Sequence, residues 1–221
     1  MAGKVYVSVS MSLDGFIAPE SMEWLAATPE QREQDPKLAR CMTQWMELQQ
    51  WLFPLRFFRE NLGFGEGGEE GRANDIARET FERTGASVMG KRMFDAGEHS
   101  WPEDAPFHTP VFVLTHEKRD PWERLGGTTF HFVNDGIESA LDQARAAAGD
   151  RDVRIAGGGA TIVEYLNAGL IDELTIALSP VLFGSGIRLF EGVDAGRVAL
   201  VPVRADPTQR VTHLTYAVRE R

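Results

Sequence analysis

Residues 153–169 read Val-Arg-Ile-Ala-Gly-Gly-Gly-Ala-Thr-Ile-Val-Glu-Tyr-Leu-Asn-Ala-Gly, and this stretch decides the fold. Its first four residues, Val153 to Ala156, are mostly apolar and β-branched, which predicts a buried strand. Three glycines follow, and residues 160–168 then carry apolar side chains at the spacing of a helix. Gly169 suits the C-cap of that helix, because glycine adopts the left-handed conformation without strain. The stretch therefore predicts a strand, a glycine turn and a helix.

The N-terminus of the predicted helix is a candidate anion site. Gly157, Gly158 and Gly159 allow positive φ angles and let another group approach the main chain closely. Unpaired N–H groups and the positive end of the helix dipole both favour a phosphate at this place. We therefore expect a cofactor pyrophosphate here; the alternative is that the glycines only make a tight turn. Ile162 replaces the third glycine of the fingerprint G-x-G-x-x-G, which favours a nucleotide-binding α/β fold other than the Rossmann fold.

Size and composition favour one ordinary globular domain. The chain has 221 residues, so we expect a single domain over residues 1–221. Its net charge is −10, with 33 acidic and 23 basic residues, which argues against a nucleic-acid partner held through phosphates. Cys41 is the only cysteine and the five histidines show no ligand spacing, so we expect no disulfide and no metal. The sequence shows neither a signal peptide nor a membrane-spanning stretch, and we expect a cytoplasmic protein without a membrane partner.

The first predicted strand has a small polar face. Residues 4–10 alternate between apolar and mostly polar side chains, which predicts a β-strand. Ser8 and Ser10 on the polar face leave room for a flat ligand, or else they mark a half-exposed strand. Residues 11–18 follow as a loop in which a turn signal precedes the apolar residues 16–18. This loop either covers a cofactor or forms a simple hairpin.

Residues 20–72 differ in composition from the rest of the chain, because Gln, Glu, Arg, Trp and Met are dense there. From Pro36 onward, apolar residues recur at helical spacing, and Pro54 is expected to end or kink that helix. We interpret the segment as an insertion in the domain and not as a second domain. Its aromatic residues are expected to pack in the core or at a subunit interface. The alternative is that they cover the substrate, since Trp and Phe stack well on a flat heterocycle.

Positive side chains follow two other predicted strands. Lys91 and Arg92 come directly after the strand 86–89 and Gly90, at the start of a helix. Cations oppose the dipole at a helix start, so a bound phosphate is one reason for them, and a solvated surface is the other. Residues 115–119 read Thr-His-Glu-Lys-Arg after a third strand. Ligands of α/β sheets bind at such strand ends, and a basic cluster there favours the ribose 2′-phosphate of NADPH over NADH.

The remaining elements predict the class of fold. Asn74 is expected to cap a helix over residues 74–84, and Asp135 with Glu138 is expected to form a capping box for a helix up to Ala148. Further strands are predicted over residues 111–115, 128–133, 174–179, 197–203 and 210–219. The order of these elements predicts an α/β fold with a mostly parallel central sheet, flanking helices and an antiparallel C-terminal edge.

The combined motifs resemble the dihydrofolate reductase-like superfamily. They are similar above all to the reductase (C-terminal) domain of the riboflavin-pathway bifunctional deaminase-reductases and to its stand-alone relatives. The motifs that carry the resemblance are Ser12-Leu-Asp-Gly-Phe-Ile-Ala18, Met89-Gly-Lys-Arg92, Gly157-Gly-Gly159, Ile171-Asp-Glu-Leu174, Pro180-Val-Leu-Phe-Gly184 and Leu189-Phe190. The order and spacing of these motifs, and not any single one of them, support the resemblance.

The resemblance implies that NADPH binds across the carboxyl ends of the strands. The pyrophosphate would contact Gly157, Gly158, Gly159, Ala160 and Thr161. A phosphate on the other side would contact Gly90, Lys91 and Arg92. The adenosine ribose would lie by Thr115 and His116. The loop over the nicotinamide would contain Gly15, Phe16 and Ile17.

The resemblance also implies where the substrate binds. Ser8, Ser10 and Asp14 would face a pterin or pyrimidine pocket. From residues 20–72 we add Trp24 and Glu30 as substrate contacts. Asp14 is the candidate general acid, because a carboxylate in an apolar pocket can have a raised pKa. The single cysteine excludes the zinc-binding deaminase domain that the bifunctional relatives carry.

We therefore expect an NADPH-dependent reductase that transfers a hydride to a small heterocycle of pterin, dihydrofolate or ribosylaminopyrimidine type. The alternatives are a non-catalytic NADPH-binding sensor and an interaction protein of the same fold. A homodimer is expected, with the apolar edge near Leu182, Phe183 and Leu189 and the Trp-rich insertion at its interface.

Overall fold

Strands and helices alternate along most of the chain in the computed structural model, which describes residues 3–221. The strands are β1 (Val5–Ser12), β2 (Phe16–Ala18), β3 (Thr84–Gly90), β4 (Pro110–Leu114), β5 (Trp122–Glu123), β6 (Thr129–Val133), β7 (Asp152–Gly157), β8 (Glu173–Ser179), β9 (Ile187–Arg188), β10 (Val198–Pro207) and β11 (Thr212–Glu220). The helices are α1 (Pro29–Gln34), α2 (Pro36–Gln49), α3 (Arg56–Asn61), α4 (Arg72–Arg83), α5 (Lys91–Glu98), α6 (Ile137–Ala148) and α7 (Gly159–Asn167), and a 3₁₀ helix spans Glu23–Leu25. These elements confirm the predicted α/β class.

Nine strands form one sheet in the order β10-β11-β8-β1-β7-β3-β4-β6-β5. β7 lies in the middle, and β1, β8, β3, β4 and β6 all run in its direction. β11 pairs antiparallel with β8, and β10 pairs antiparallel with β11, which is the predicted antiparallel C-terminal edge. β2 and β9 pair with each other in a separate small sheet. Because the parallel strands all end on one side, the turns that follow them meet at a single edge of the sheet.

One face of the large sheet packs against α6 and α7. The side chains of Val5, Val7 and Ile155 are fully buried there among apolar residues of the two helices. Tyr165 of α7 is also buried, and its hydroxyl donates a hydrogen bond to the carbonyl of Ile137 at 2.7 Å. Burying one large apolar side chain contributes roughly 1.5–3 kcal/mol. This layer therefore fixes α7, and with it the glycine turn, against the sheet.

The opposite face carries two separate apolar layers. Over β3, β4 and β6, the rings of Phe94, Trp101 and Phe130 pack together with centroids between 5.2 and 6.0 Å apart. Over β8 and β11, the residues Trp51 and Leu55 from the segment before α3 pack against the sheet. Between these two layers, Ser8 of β1 and Arg154 of β7 are polar residues that are partly exposed. This polar strip is the part of the face that a ligand can reach.

Two predicted helix caps are wrong. Asn74 lies inside the first turn of α4, and its side-chain carbonyl accepts a hydrogen bond from the N–H of Phe57 at 2.8 Å. Asp135 and Glu138 do not form a capping box, because Gly136 is the N-cap of α6 and no described side chain caps that helix end. Gly136 has a φ of 104°, a value that glycine adopts easily. A tertiary contact in one case and a glycine turn in the other replace the local caps that the sequence predicts.

The segment 20–72 contributes the 3₁₀ helix, α1, α2 and α3. α2 begins at Pro36 as predicted, and the carboxylate of Asp35 caps it by accepting a hydrogen bond from the N–H of Lys37 at 2.8 Å. Leu48 is fully buried where the segment meets the sheet. No described helix combines the length and the apolarity that crossing a membrane requires.

Candidate active site

The central strands part at their carboxyl ends. β1 pairs with β7 only from Val5 to Val7, opposite residues 153–155, whereas its pairing with β8 continues to Ser12. Ser8 is therefore the first residue of β1 beyond the pairing with β7. We call the gap between β1 and β7 beyond Ser8 the notch. Ligands of open α/β sheets bind at the carboxyl ends of the strands, where neighbouring strands diverge.

The glycine turn lies beside the notch. The peptide bond between Gly157 and Gly158 is cis, and Gly158 is the N-cap of α7. The first hydrogen bond of that helix joins the N–H of Ile162 to the carbonyl of Gly158 at 3.1 Å. The N–H groups of residues 159–161 precede it, and no side chain between residues 3 and 221 caps this helix end. These N–H groups are the donors that a phosphate requires.

Two predicted phosphate-binding segments lie in contact with each other. A Cβ placed on Gly90, at the end of β3, would lie 2.4 Å from the hydroxyl oxygen of Thr161. A Cβ placed on Gly157 would lie 3.2 Å from the sulfur of Met93. The glycines thus allow the start of α5 to approach the start of α7. The structure therefore brings both segments to the same edge of the sheet.

The two cations at the start of α5 differ in their partners. Lys91 is bound to Asp95 at 2.6 Å and lies 3.6 Å from Glu117. The hydrogen bond to Asp95 is the main reason why the pKa of Lys91 is raised. Arg92 is exposed and forms no ion pair with any residue that the structure describes. Arg92 is therefore the cation that a phosphate can bind without breaking an existing contact.

Thr115 and His116 follow β4, one strand beyond β3. The hydroxyl of Thr115 accepts a hydrogen bond from the N–H of Glu117 at 3.0 Å. His116 is exposed, whereas Arg119 is bound to Glu98 at 2.7 Å. Arg119 thus holds α5 in place, and His116 remains accessible to a ligand.

The loop after β1 folds over the glycine turn. A Cβ placed on Gly159 would lie 3.3 Å from a methyl group of Ile17 and 3.0 Å from one of Ile187. Gly15 makes this return possible with a φ of 91°. Phe16 is buried. Ile17 therefore lies on the turn that is predicted to bind the cofactor, while Phe16 belongs to the core.

Asp14 anchors this loop to a distant part of the chain. Its carboxylate accepts hydrogen bonds from the hydroxyl of Ser12 at 2.6 Å and from the N–H groups of Phe183 and Gly184 at 3.1 and 2.8 Å. Burial acts to raise the pKa of Asp14, but these hydrogen bonds outweigh it and lower the pKa to about 2. An ionised carboxylate has no proton to give at neutral pH. These contacts count against the predicted role of Asp14 as the general acid.

The other predicted substrate residues have different surroundings. The hydroxyl of Ser10 donates to Gln49 and accepts from the indole N–H of Trp51, both at 3.0 Å, which leaves it little capacity for a ligand. Trp24 is buried, and its indole N–H has no acceptor in the described chain. Glu30 is exposed in the first turn of α1, a helix that buries none of its residues. Trp24 thus keeps an unused donor, Ser10 is occupied, and Glu30 lies on the surface.

Sequence reasoning misses Arg154, the second residue of the stretch that decides the fold. Arg154 lies in β7 between Tyr6 of β1 and Ser87 of β3, and it is only partly exposed. Its guanidinium donates a hydrogen bond to the carbonyl of Ser8 at 3.0 Å, at the base of the notch. The signal that could have revealed it is a charged residue inside an otherwise apolar strand, since such residues are rarely buried without a partner.

A family model described as the RibD C-terminal domain matches residues 3–212 of the chain. Among curated proteins, the uncharacterized protein YyaP of Bacillus subtilis is 34% identical over 109 residues. The match covers 47% of this chain and 57% of that protein, so the chain spans little more than half the length of this curated relative.

Three solved structures have similar folds. A putative riboflavin biosynthesis protein from Shewanella sp. PV-4 has a TM-score of 0.60 at 22% identity, covering 98% of this chain and 99% of that chain. A diaminohydroxyphosphoribosylaminopyrimidine deaminase/5-amino-6-(5-phosphoribosylamino)uracil reductase from Thermotoga maritima has a TM-score of 0.58 at 14% identity, covering 100% of this chain and 57% of that chain. A dihydrofolate reductase from Enterococcus faecalis, in complex with NADP(H) and RAB-propyl, has a TM-score of 0.50 at 15% identity, covering 100% of this chain and 98% of that chain. At these identities the likeness shows the fold, which is dihydrofolate reductase-like as predicted.

Proposed function

The chain belongs to the RibD C-terminal domain family, and from this premise we propose that it is an NADPH-dependent reductase of a small, flat heterocycle. The observation that carries the proposal is the notch, which opens between β1 and β7 beside the glycine turn at the start of α7. A flat ring in the notch would lie next to a cofactor whose pyrophosphate is bound at the turn. Pterins, dihydrofolate and ribosylaminopyrimidines all contain flat rings that such a gap between strands can admit.

The residues at the strand ends fit a dinucleotide cofactor with an additional phosphate. The N–H groups of residues 159–161 have no partner within α7, and they would hold the pyrophosphate. Arg92 would bind the 2′-phosphate, while Lys91 would exchange Asp95 for a phosphate oxygen. Ile17 would cover the nicotinamide from the loop after β1. NADPH supplies a hydride when it is bound, and the surrounding residues orient the ring and exclude water.

Reduction of a C=N or C=C bond requires a proton as well as a hydride. Because the hydrogen bonds of Asp14 keep it ionised, we assign the delivery of the proton to a water molecule in the notch. Ser8 is partly exposed there and can hold such a water through its hydroxyl group. The residues of this chain would thus position the substrate and shield the reaction.

A titration with NADPH and NADH tests the cofactor part of the proposal, with fluorescence transfer from the tryptophans to the reduced nicotinamide as the signal. We expect NADPH to bind at least roughly tenfold more tightly than NADH, because a hydrogen bond to a charged group contributes about 1.5–3 kcal/mol. Arg92→Met should remove most of that preference. Arg145→Met removes an exposed cation on α6 and is the matched control, which should behave like the wild type.

Three outcomes separate the proposal from its alternatives. Turnover of a pterin or an aminopyrimidine with NADPH would support the reductase. Binding of NADPH without turnover across such a panel would favour a non-catalytic sensor. Failure to bind either nucleotide would refute the proposal and leave the three glycines as a simple turn.

A further inference from the structure

Arg154 is unusual because it is a charged residue in the centre of a sheet. It lies in β7, in register with Tyr6 on one side and Ser87 on the other, and only part of it reaches solvent. Taking a guanidinium partly out of water costs free energy that an ion pair normally offsets. The groups around Arg154 therefore decide whether its role is structural.

The nearby carboxylates on this part of the sheet are bound to other cations. Asp152 accepts a hydrogen bond from Arg83 at 2.5 Å, and Glu173 accepts hydrogen bonds from Arg83 at 2.6 Å and from Lys4 at 2.9 Å. Burial acts to raise the pKa of Glu173, but these two cations outweigh it and lower the pKa. Arg154 itself forms no ion pair with any residue from 3 to 221. Its charge is therefore left without a compensating carboxylate.

The hydrogen bonds of Arg154 are also incomplete. A guanidinium has five N–H donors, and a side-chain hydrogen bond to the carbonyl of Ser8, at 3.0 Å, occupies one of them. The buried Nε atom has no acceptor in the part of the chain that the structure describes. The adjacent hydroxyl of Tyr6 is already bound to Thr84 at 2.6 Å and to Thr80 at 3.0 Å. The guanidinium therefore keeps N–H donors that no residue of the described chain satisfies.

We propose that Arg154 binds a carboxylate of the substrate, so that the substrate class is a flat heterocycle that carries a carboxylate. The inference rests on the proposed function in placing the substrate in the notch. The contact with Ser8 holds the guanidinium at the base of the notch, where β1 and β7 part. Guanidinium and carboxylate groups are both planar and form two parallel hydrogen bonds. A neutral ring would leave the charge of Arg154 unpaired. The site therefore prefers a ring that carries a carboxylate over the same ring without one.

Orotate and uracil provide a direct test, because the two rings differ only by one carboxylate. Isothermal titration would be carried out with both compounds, on NADPH-saturated and on cofactor-free protein. We expect the wild type to bind orotate at least roughly tenfold more tightly than uracil. A tenfold preference corresponds to about 1.4 kcal/mol. Arg154→Met should abolish this preference, and Arg154→Lys should keep only part of it, since lysine cannot form the bidentate pair. Arg145→Met, on the opposite face of the sheet, should retain the wild-type preference.

Thermal unfolding separates a binding role from a structural one. Arg154→Met removes an unpaired cation, so it should melt at a temperature no lower than that of the wild type. If the Met variant does not fold, Arg154→Lys distinguishes a binding role from a structural one. A binding role requires that the preference of the Lys variant for orotate falls below that of the wild type. The inference is overturned if the wild type does not prefer orotate, or if the variants keep the full preference. A preference for orotate without any binding of NADPH would refute the proposed reductase and leave the assignment of Arg154 intact.

Discussion

Asp14 joins two loops at the edge of the sheet through a single carboxylate. The carboxylate of Asp14 accepts a hydrogen bond from the N–H of Phe183, which lies 169 residues further along the chain. Arg188 strengthens the same junction, because its guanidinium donates to the carbonyl of Asp14 at 3.1 Å and lies 4.3 Å from the ring centroid of Phe16. These contacts set the shape of the loop that lies over Gly159.

Asp14→Asn should lower stability at neutral pH and leave turnover nearly unchanged. Hydrogen bonds to a charged group contribute roughly 1.5–3 kcal/mol. Because the carboxylate of Asp14 is partly exposed, we expect Asp14→Asn to lower the free energy of unfolding by an amount near the lower end of this range. Because the folded protein lowers the pKa from 3.8 to about 2, the ionised carboxylate stabilises the fold fully above pH 3.8, and this stabilisation is lost as the pH falls through about 2. Urea unfolding of both proteins should show a difference in free energy that narrows below pH 3.8. Loss of turnover with unchanged stability would restore Asp14 as the general acid.

Elements with a local repeating pattern could be predicted from the sequence. The strand, glycine turn and helix expected over residues 153–169 occur as β7 and α7 within one or two residues of the predicted ends. The meeting of Gly90 with Thr161 also follows from the sequence, because parallel strands that each lead into a helix end at the same edge. Apolar spacing and glycine position thus predict the central parallel strands and the edge of the sheet where the two glycine-containing turns meet.

Contacts between distant segments could not be predicted in the same way. Ser10 looks like a free pocket residue in the sequence, but Trp51, 41 residues later, occupies its hydroxyl. The sequence favours a raised pKa for Asp14, yet backbone amides 169 and 170 residues away help to lower that pKa. Arg154 stands out only after the nearby carboxylates are known to be paired elsewhere. Local patterns do not contain these partners, so the chemistry of single residues was less predictable than the fold.

Gly158→Asp should weaken NADPH binding without unfolding the glycine turn. A Cβ on Gly158 would meet no atom within 4 Å, so the turn has room for a side chain. A negative charge at the start of α7 would repel a pyrophosphate at the free N–H groups, whereas the neutral Gly158→Asn has nearly the same size. We expect at least a roughly tenfold greater loss of NADPH affinity in the Asp variant by isothermal titration. Similar affinities for the two variants would mean that the turn does not bind a phosphate.

Two apolar regions on the surface of the described residues are candidates for self-association. Of the three loop residues named for the predicted interface, Phe183 and Leu189 are 5% and 0% exposed, and Leu182, at 72%, is the one that a partner can reach. β10 forms the other region at the edge of the sheet, where Val201 and Val203 are 49% and 62% exposed. Exposed apolar side chains on a long edge strand are typical of an interaction surface. β10 is therefore the better candidate for the interface of the expected homodimer.

Two copies should associate through the side chains of β10 and not through its main chain. Pro202 has no N–H group, and the pairing with β11 shifts between Pro202 and Arg204, so the free edge is poorly suited to a continuous ladder. Light scattering should show a dimer, and the double variant Val201→Lys with Val203→Lys should be monomeric, because a stable interface of about 800 Å² per partner does not tolerate two buried unpaired cations. Leu182→Lys is the matched control and should remain dimeric. A monomeric wild type would rule out the homodimer, and dissociation by Leu182→Lys alone would move the interface to the loops beside the glycine turn.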